Sequence, residues 1–442
     1  MKCGFSKKEI TPPIGGHMSG KAYPRIAQDV HDPLYIRAIA FQEERLAVVL
    51  VVDIVGLFQE KCAEIREFVA EKLGVEKKDI FISCTHTHTG PVANDSVELS
   101  AEDEPVNEPF VAALPHYALS AAQGAVADLK EAVVLGAQSE LENISFVRRF
   151  RMKDGSVRTN PGRKNADVVG PMTPADETIR LIRFVREGAD EILLINFQVH
   201  PDVMNTKGYS ADYPGIVCNT LERALPGTKC IYFNGTAGDL NHIDIKAPEW
   251  DPCTGPGQST HMGYSIAGKI LSMYTKSRPL QTGPVCTNEK IVTIQLKAPE
   301  PDRVPEAMEL LRLHAAGLDD QIPHTGMEFI TALFESRQII DRMKPDYKTE
   351  KNVCVSGLSF GEIGLIGIPG EGFCDIGRQI RTESPFPMQL TLGICNGYEG
   401  YFPMKDAFEV NGYESRTSQF VAGIGEALAE AGKEVTKKLH SL

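Results

Sequence analysis

His86 and His88 sit one threonine apart at the end of an apolar run, in FISCTHTHTGP (81–91). On an extended chain, side chains at i and i+2 share a face. Gly90-Pro91 marks the end of that extension, which frees one imidazole to ligate a metal and the other for separate work. A metal needs further ligands from elsewhere. His200 closes a second apolar run, NFQVHPDV (196–203), where a buried imidazole without a partner would be costly. Glu371 follows a Pro-Gly turn in IPGEGF (368–373), presenting a carboxylate just ahead of a predicted helix. Two histidines and one glutamate make the protein ligand set of a catalytic zinc site that keeps one position for water.

Other residues supply further chemistry. NGYEGYFPMKDAFEVNGYES (396–415) carries Tyr398, Tyr401 and Tyr413. A phenolate can ligate a metal and a phenol can stabilise an oxyanion. Arg148, Arg149 and Arg151 follow the apolar ISFV and are open to substrate contact. Cys84, next to the histidine pair, is an alternative nucleophile for a thiol hydrolase. NGTAGDLNH (234–242) lacks the lysine and the glycine spacing of a phosphate loop. The glycines near 361–372 form no dinucleotide fingerprint.

These residues need a frame. Short, β-branched apolar runs at 46–52, 80–83, 191–199, 230–233, 364–368 and 388–394 read as buried strands. Helix-period segments at 59–74, 107–130, 259–276, 301–317, 325–344 and 418–440 lie between them. The alternation predicts an α/β fold, one large domain over 1–442 with a mostly buried mixed sheet flanked by helices. Several strands run into turns bearing the residues above, so the metal site should lie at strand C-terminal ends. Segment 148–174 is polar, with a KDGS hairpin turn. Residues 299–350 read as a helical insertion.

The chain holds 46 basic and 59 acidic residues, a formal net charge of −13, with no basic run. That argues against nucleic-acid or anionic-membrane partners. No stretch is apolar and long enough to span a bilayer, and the N-terminus lacks a signal-peptide core. Ten scattered cysteines without CxxC pairs point to reduced thiols and a cytoplasmic setting. Oligomeric state is not legible.

Seven stretches, in order, resemble the N-terminal amidohydrolase domain of the neutral, non-lysosomal ceramidases and their shorter bacterial relatives. They are ITPPIGGHMSG, LVVDIVGL, SCTHTHTGP, FQVHPDVM, NGTAGDLNH, IGIPGEGF and GYEGYFPMKDAFEVNGYES. The resemblance implies a zinc ion held by His86, His200, Glu371 and Tyr401. It implies that His88 and Tyr413 contact the substrate carbonyl and its oxyanion, and that Arg149 grips the polar head. The implied chemistry is hydrolysis of a linear amide by metal-activated water, on a small-molecule N-acyl substrate. His88 or the acid Asp239 would then hand a proton to the leaving amine. The pattern departs from the family at Arg148, where an asparagine is expected, and at Asn241-His242 after Gly-Asp. No immunoglobulin-like C-terminal domain is expected. A non-catalytic, metal-bound ligand-binding protein is the reading outside enzyme chemistry.

Overall fold

A computed structural model describes residues 1–93 and 107–442. The large sheet uses β1 (Lys2–Glu9), β2 (Tyr35–Glu43), β3 (Arg45–Val52), β4 (Ile80–Cys84), β5 (Lys130–Glu140), β6 (Thr178–Arg186), β7 (Glu191–Phe197) and β8 (Thr228–Asn234). Their spatial order is β8-β7-β6-β5-β1-β2-β3-β4, and a short Arg278–Pro279 strand on β5 makes nine. The inner pairs are antiparallel, while β3 with β4 and β7 with β8 run parallel. The sheet is therefore mixed, and its two parallel flanks point His86 and His200 out of strand C-terminal ends.

A second sheet stacks on the first, with β9 (Val285–Gln295), β10 (Glu350–Phe360), β11 (Ile363–Gly367) and β12 (Met388–Leu392) in that order. Strand alternation decides what lies between the sheets. Along β2, Ile36, Ala38 and Ala40 face one core, while Ile39 and Phe41 face the other. The inter-sheet core joins Phe41, Phe184 and Phe233 to Leu358, Phe360 and Leu390. On the outer face of the large sheet lie α1 (Gln59–Leu73), α2 (Glu108–Ala127), α3 (Asp212–Ala224) and α4 (Pro256–Tyr274). Helix α1 ends at Gly74, whose φ of +70° lets its N–H reach back to the helix carbonyls. Between β9 and β10 come α5 (Val304–Ala315) and α6 (Gly326–Asp341), packed around Leu310, Leu313, Ile322 and Leu333. The second sheet's outer face carries α7 (Cys374–Thr382) and α8 (Ile424–His440). The layers run helix, sheet, sheet, helix, the α/β class expected.

Both flanks of the large sheet meet one segment of the second. Gly393 N–H donates to Asn234 O at the end of β8 (3.0 Å), and Cys84 N–H in β4 donates to Ile394 O (3.1 Å). Asn396 N–H then donates to Ile82 O (2.7 Å). The path turns sharply, with Ile394 and Asn396 at φ of +49° and +61°. The KDGS turn joins Arg149–Met152 to Val157–Thr159, and Val168–Pro171 adds a third strand. Among the described residues, no helix is long and apolar enough to cross a membrane.

Most boundaries shift by a few residues, and two of the shifts have a plain cause. Helix 107–130 stops at Ala127, because 130–140 is claimed by the large sheet. The 418–440 helix begins at Ile424, since Ser418 is tied to Tyr401 O through its hydroxyl (2.8 Å).

Candidate metal centre

Backbone hydrogen bonds fix the histidine pair. Past β4, Thr85 N–H donates to Val52 O and His86 N–H to Ile54 O. His86 is bent into the left-handed region, φ +68°, a conformation that costs a non-glycine residue on the order of 1 kcal/mol. His88 N–H donates to Pro201 O (3.0 Å), tying the pair to the loop that carries His200. Each ring is then oriented from behind. His86 Nδ1 donates to Val55 O (2.7 Å) and His88 Nδ1 to Gly20 O (2.6 Å), while His200 Nδ1 faces Ala237 O at 3.5 Å.

With Nδ1 carrying the proton, each neutral ring turns an Nε2 lone pair inward. The three Nε2 atoms converge: 3.2 Å from His86 to His200, 3.3 Å from His86 to His88, and 3.1 Å from His88 to His200. Nitrogen ligands ~2.0–2.1 Å from a tetrahedral zinc stand roughly 3.3–3.4 Å apart. The spacing and the donor set fit such an ion. Three acceptors turned toward one another without a cation between them would otherwise repel.

Glu371 closes the fourth side. Its Oε1 accepts from the Tyr398 hydroxyl (2.9 Å), and its Oε2 lies 3.6 Å from His86 Nε2 and 3.9 Å from His200 Nε2. That Oε2 is buried and has no hydrogen-bond partner, which suits a carboxylate aimed at a cation. Burial pushes the His200 imidazole down to about 3 and His88 well below its usual range, and the neighbouring rings add to both effects. Neutral imidazole is the metal-binding form. Burial works against the Glu371 carboxylate, but the groups around it, His86 first and Arg148 the permanent charge among them, hold it well below the usual carboxylate range.

Beside this centre lies a tyrosine-arginine wall. Tyr401 pairs in register with Glu371, and its ring meets that of Tyr413 edge to face at 5.5 Å. Burial holds the Tyr401 phenol well above its ordinary value and Tyr413 at about 12, despite the nearby Arg148 charge. Arg148 lies over both rings, 5.3 Å and 5.6 Å from their centroids. It is fixed by Glu414 Oε1 (2.8 Å) and Gly238 O (2.6 Å).

Arg149 lies on the other side of the chain from Arg148, over the Phe373 ring and against Asp406, while Arg148 lies beside the two phenols. His88 Nδ1 donates to Gly20 O, and its Nε2 stands 3.3 Å from that of His86 and 3.1 Å from that of His200. Cys84 is buried in the core beneath α1, and burial raises its thiol far above the nucleophilic range. Asp239 is buried too, accepting the Cys374 N–H (2.7 Å). The sequence reading did not single out Gly20, the carbonyl behind His88, or Asp202, which faces His242 at 3.0 Å. Neither Gly20 nor Asp202 carries a local signal, because each acts through a residue distant in sequence.

No protein-family model matches this sequence, and no curated protein does. Solved structures do. Neutral ceramidase from Pseudomonas aeruginosa superposes with a TM-score of 0.73 at 16% identity, over 99% of this chain and 75% of that one. A ceramidase complexed with C2 gives 0.72 at 16% identity, over 100% and 75%. The chain has the neutral ceramidase fold over its whole length.

Proposed function

We propose that this protein is a zinc-dependent amidohydrolase that cleaves a linear N-acyl amide. The convergence of the His86 and His200 Nε2 atoms on a buried carboxylate oxygen that has no hydrogen-bond partner carries this reading. Zinc would be held by His86, His200 and Glu371, with Tyr401, the register partner of Glu371, as a further ligand. A zinc ion there supplies a Lewis acid for the carbonyl and acidifies water toward neutrality.

The remaining roles follow from the donors and acceptors of this chain. His88 presents an unprotonated Nε2 that Glu371 does not approach within ion-pair distance, so it accepts the proton of the attacking water. The Tyr413 phenol keeps its proton and donates to the developing oxyanion. Arg148, stacked on both phenols, holds that donor in place and adds positive charge beside it. The shared fold supports an amide as the bond cleaved. All ten cysteines are unpaired, which supports a reducing, cytoplasmic compartment.

The test pairs metal analysis of the purified protein with a panel of N-acyl amides, ceramides included, run beside His200→Ala. About one zinc per chain with turnover on some member, both lost in the variant, is the expected result. An active, metal-free His200→Ala protein overturns the proposal.

A further inference from the structure

Away from the metal centre, a cleft opens between the two sheets near the C-terminal turn of α7. It encloses ≈250 Å³ and is lined by Gln138, Arg180, Arg381, Thr382, Phe386 and Gln389, with Pro387 beside them. Arg180 lies on β6, between Asn196 of β7 and Gln138 of β5. It shares the parity of Ile182 and Phe184, so its side chain enters the gap between the sheets.

Arg180 is only 4% exposed, yet its Nε and Nη1 have no hydrogen-bond partner. No carboxylate lies against it among the described residues, and burial alone pushes its guanidinium down to about 10. Two other buried guanidinium groups of this chain are answered by acids. Arg37 pairs with Asp53, and Arg148 with Glu414. A buried charge is costly unless paired and hydrogen-bonded, so the missing counter-charge at Arg180 needs a source.

Arg381, the second cation of the cleft, is ion-paired with Asp176 and reaches toward Thr391 Oγ1 (3.4 Å). The acids Glu140, Asp176 and Glu177 line an adjoining cavity of ≈340 Å³ together with Arg378. On the Arg180 side, no acid lines the wall. Fork-shaped donors with amide and hydroxyl groups around them match an oxyanion.

We propose that this cleft binds a small oxyanion, a phosphate or carboxylate group, at a site separate from the metal centre. The occupant supplies the acceptors that Arg180 Nε and Nη1 lack, with Arg381 and Thr382 flanking it. The volume admits inorganic phosphate or the charged end of a small metabolite. Arg180 touches none of the metal-centre residues, so hydrolysis does not depend on it directly.

Calorimetric titration of inorganic phosphate into the full protein, at fixed ionic strength with chloride as control, tests this directly. Succinate and a sugar phosphate form parallel arms that identify which oxyanion source is preferred. Saturable binding of one of them is expected, weakened at least tenfold in both Arg180→Gln and Arg180→Leu, with zinc content unchanged. Without anion, Arg180→Leu should melt no lower than wild type, because an unpaired buried charge has been removed. Heats indistinguishable from chloride for every anion would overturn the proposal, as would undiminished binding in the folded variants.

Discussion

Glu371→Gln separates the metal reading from ordinary packing. The substitution keeps volume and retains the Oε1 acceptor of the Tyr398 hydroxyl, but replaces the buried, unpaired Oε2 with an amide nitrogen. At pH 8, where an imidazole is ordinarily neutral, the new N–H2 faces the Nε2 atoms 3.6 Å and 3.9 Å away, and a shift of a few tenths of an ångström lets it donate to one of them. An unsatisfied buried group costs about 1–3 kcal/mol, so the metal-free variant should be more stable than metal-free wild type. With 442 residues at roughly 2.1 cal/mol/K each, the unfolding entropy is about 0.9 kcal/mol/K. The gain is then a rise in Tm of about 1–3 °C. Zinc reverses the order of benefit. At about 1,000 times its Kd, zinc adds about 4 kcal/mol to wild type, a rise of about 4 °C. Loss of the ligand charge weakens affinity at least ~100-fold, by analogy with the 10–100-fold seen for outer partners, and leaves the variant a rise near 1 °C. Scanning calorimetry with chelator and with zinc reads both signs. A metal-free variant that melts below wild type would refute the uncompensated-oxygen reasoning, and an equal zinc-induced rise in both proteins would remove Glu371 from the metal.

Three further outcomes are expected. His88→Ala should keep about one zinc per chain and lose ~10²–10⁴ in turnover, the worth of a positioned proton acceptor; loss of zinc by elemental analysis would make His88 a ligand. Arg148→Met leaves Glu414 buried without its cation and should cost about 3–5 kcal/mol by denaturant unfolding. Treatment of the folded protein with iodoacetamide should leave activity intact, because Cys84 is buried with a raised pKa; inactivation that follows Cys84 modification by mass spectrometry would restore the thiol reading.

Runs buried on both faces were legible in the sequence. LAVVLVV and EILLINFQV, flanked by helices and a second sheet, read as strands at once. The antiparallel strands 130–140 and 285–295 hid because their outer ends alternate with exposed polar residues and carry little apolar signal. His86, His200 and Glu371 could be picked out because each ends an apolar run at a turn. Which of Arg148 and Arg149 faces the phenols could not be read, since adjacent strand residues face opposite ways and only the register at Arg149↔Thr159 says which is which. The cleft at Arg180 was invisible for a related reason: its walls come from β5, β6 and α7, which meet only in three dimensions.

The 393–396 segment has a consequence for how the chain reaches this state. By bonding to Asn234 at the end of one flank and to Ile82 and Cys84 on the other, it caps strands that were made more than 150 residues earlier. Until it docks, both flanks offer open backbone to any passing strand, the usual template for misassembly. Glu371 belongs to the same late portion of the chain. Any metal bound by these residues would meet its full ligand set only once this late portion has docked, and the partly folded protein should be most prone to aggregate while residues beyond 390 are still unplaced.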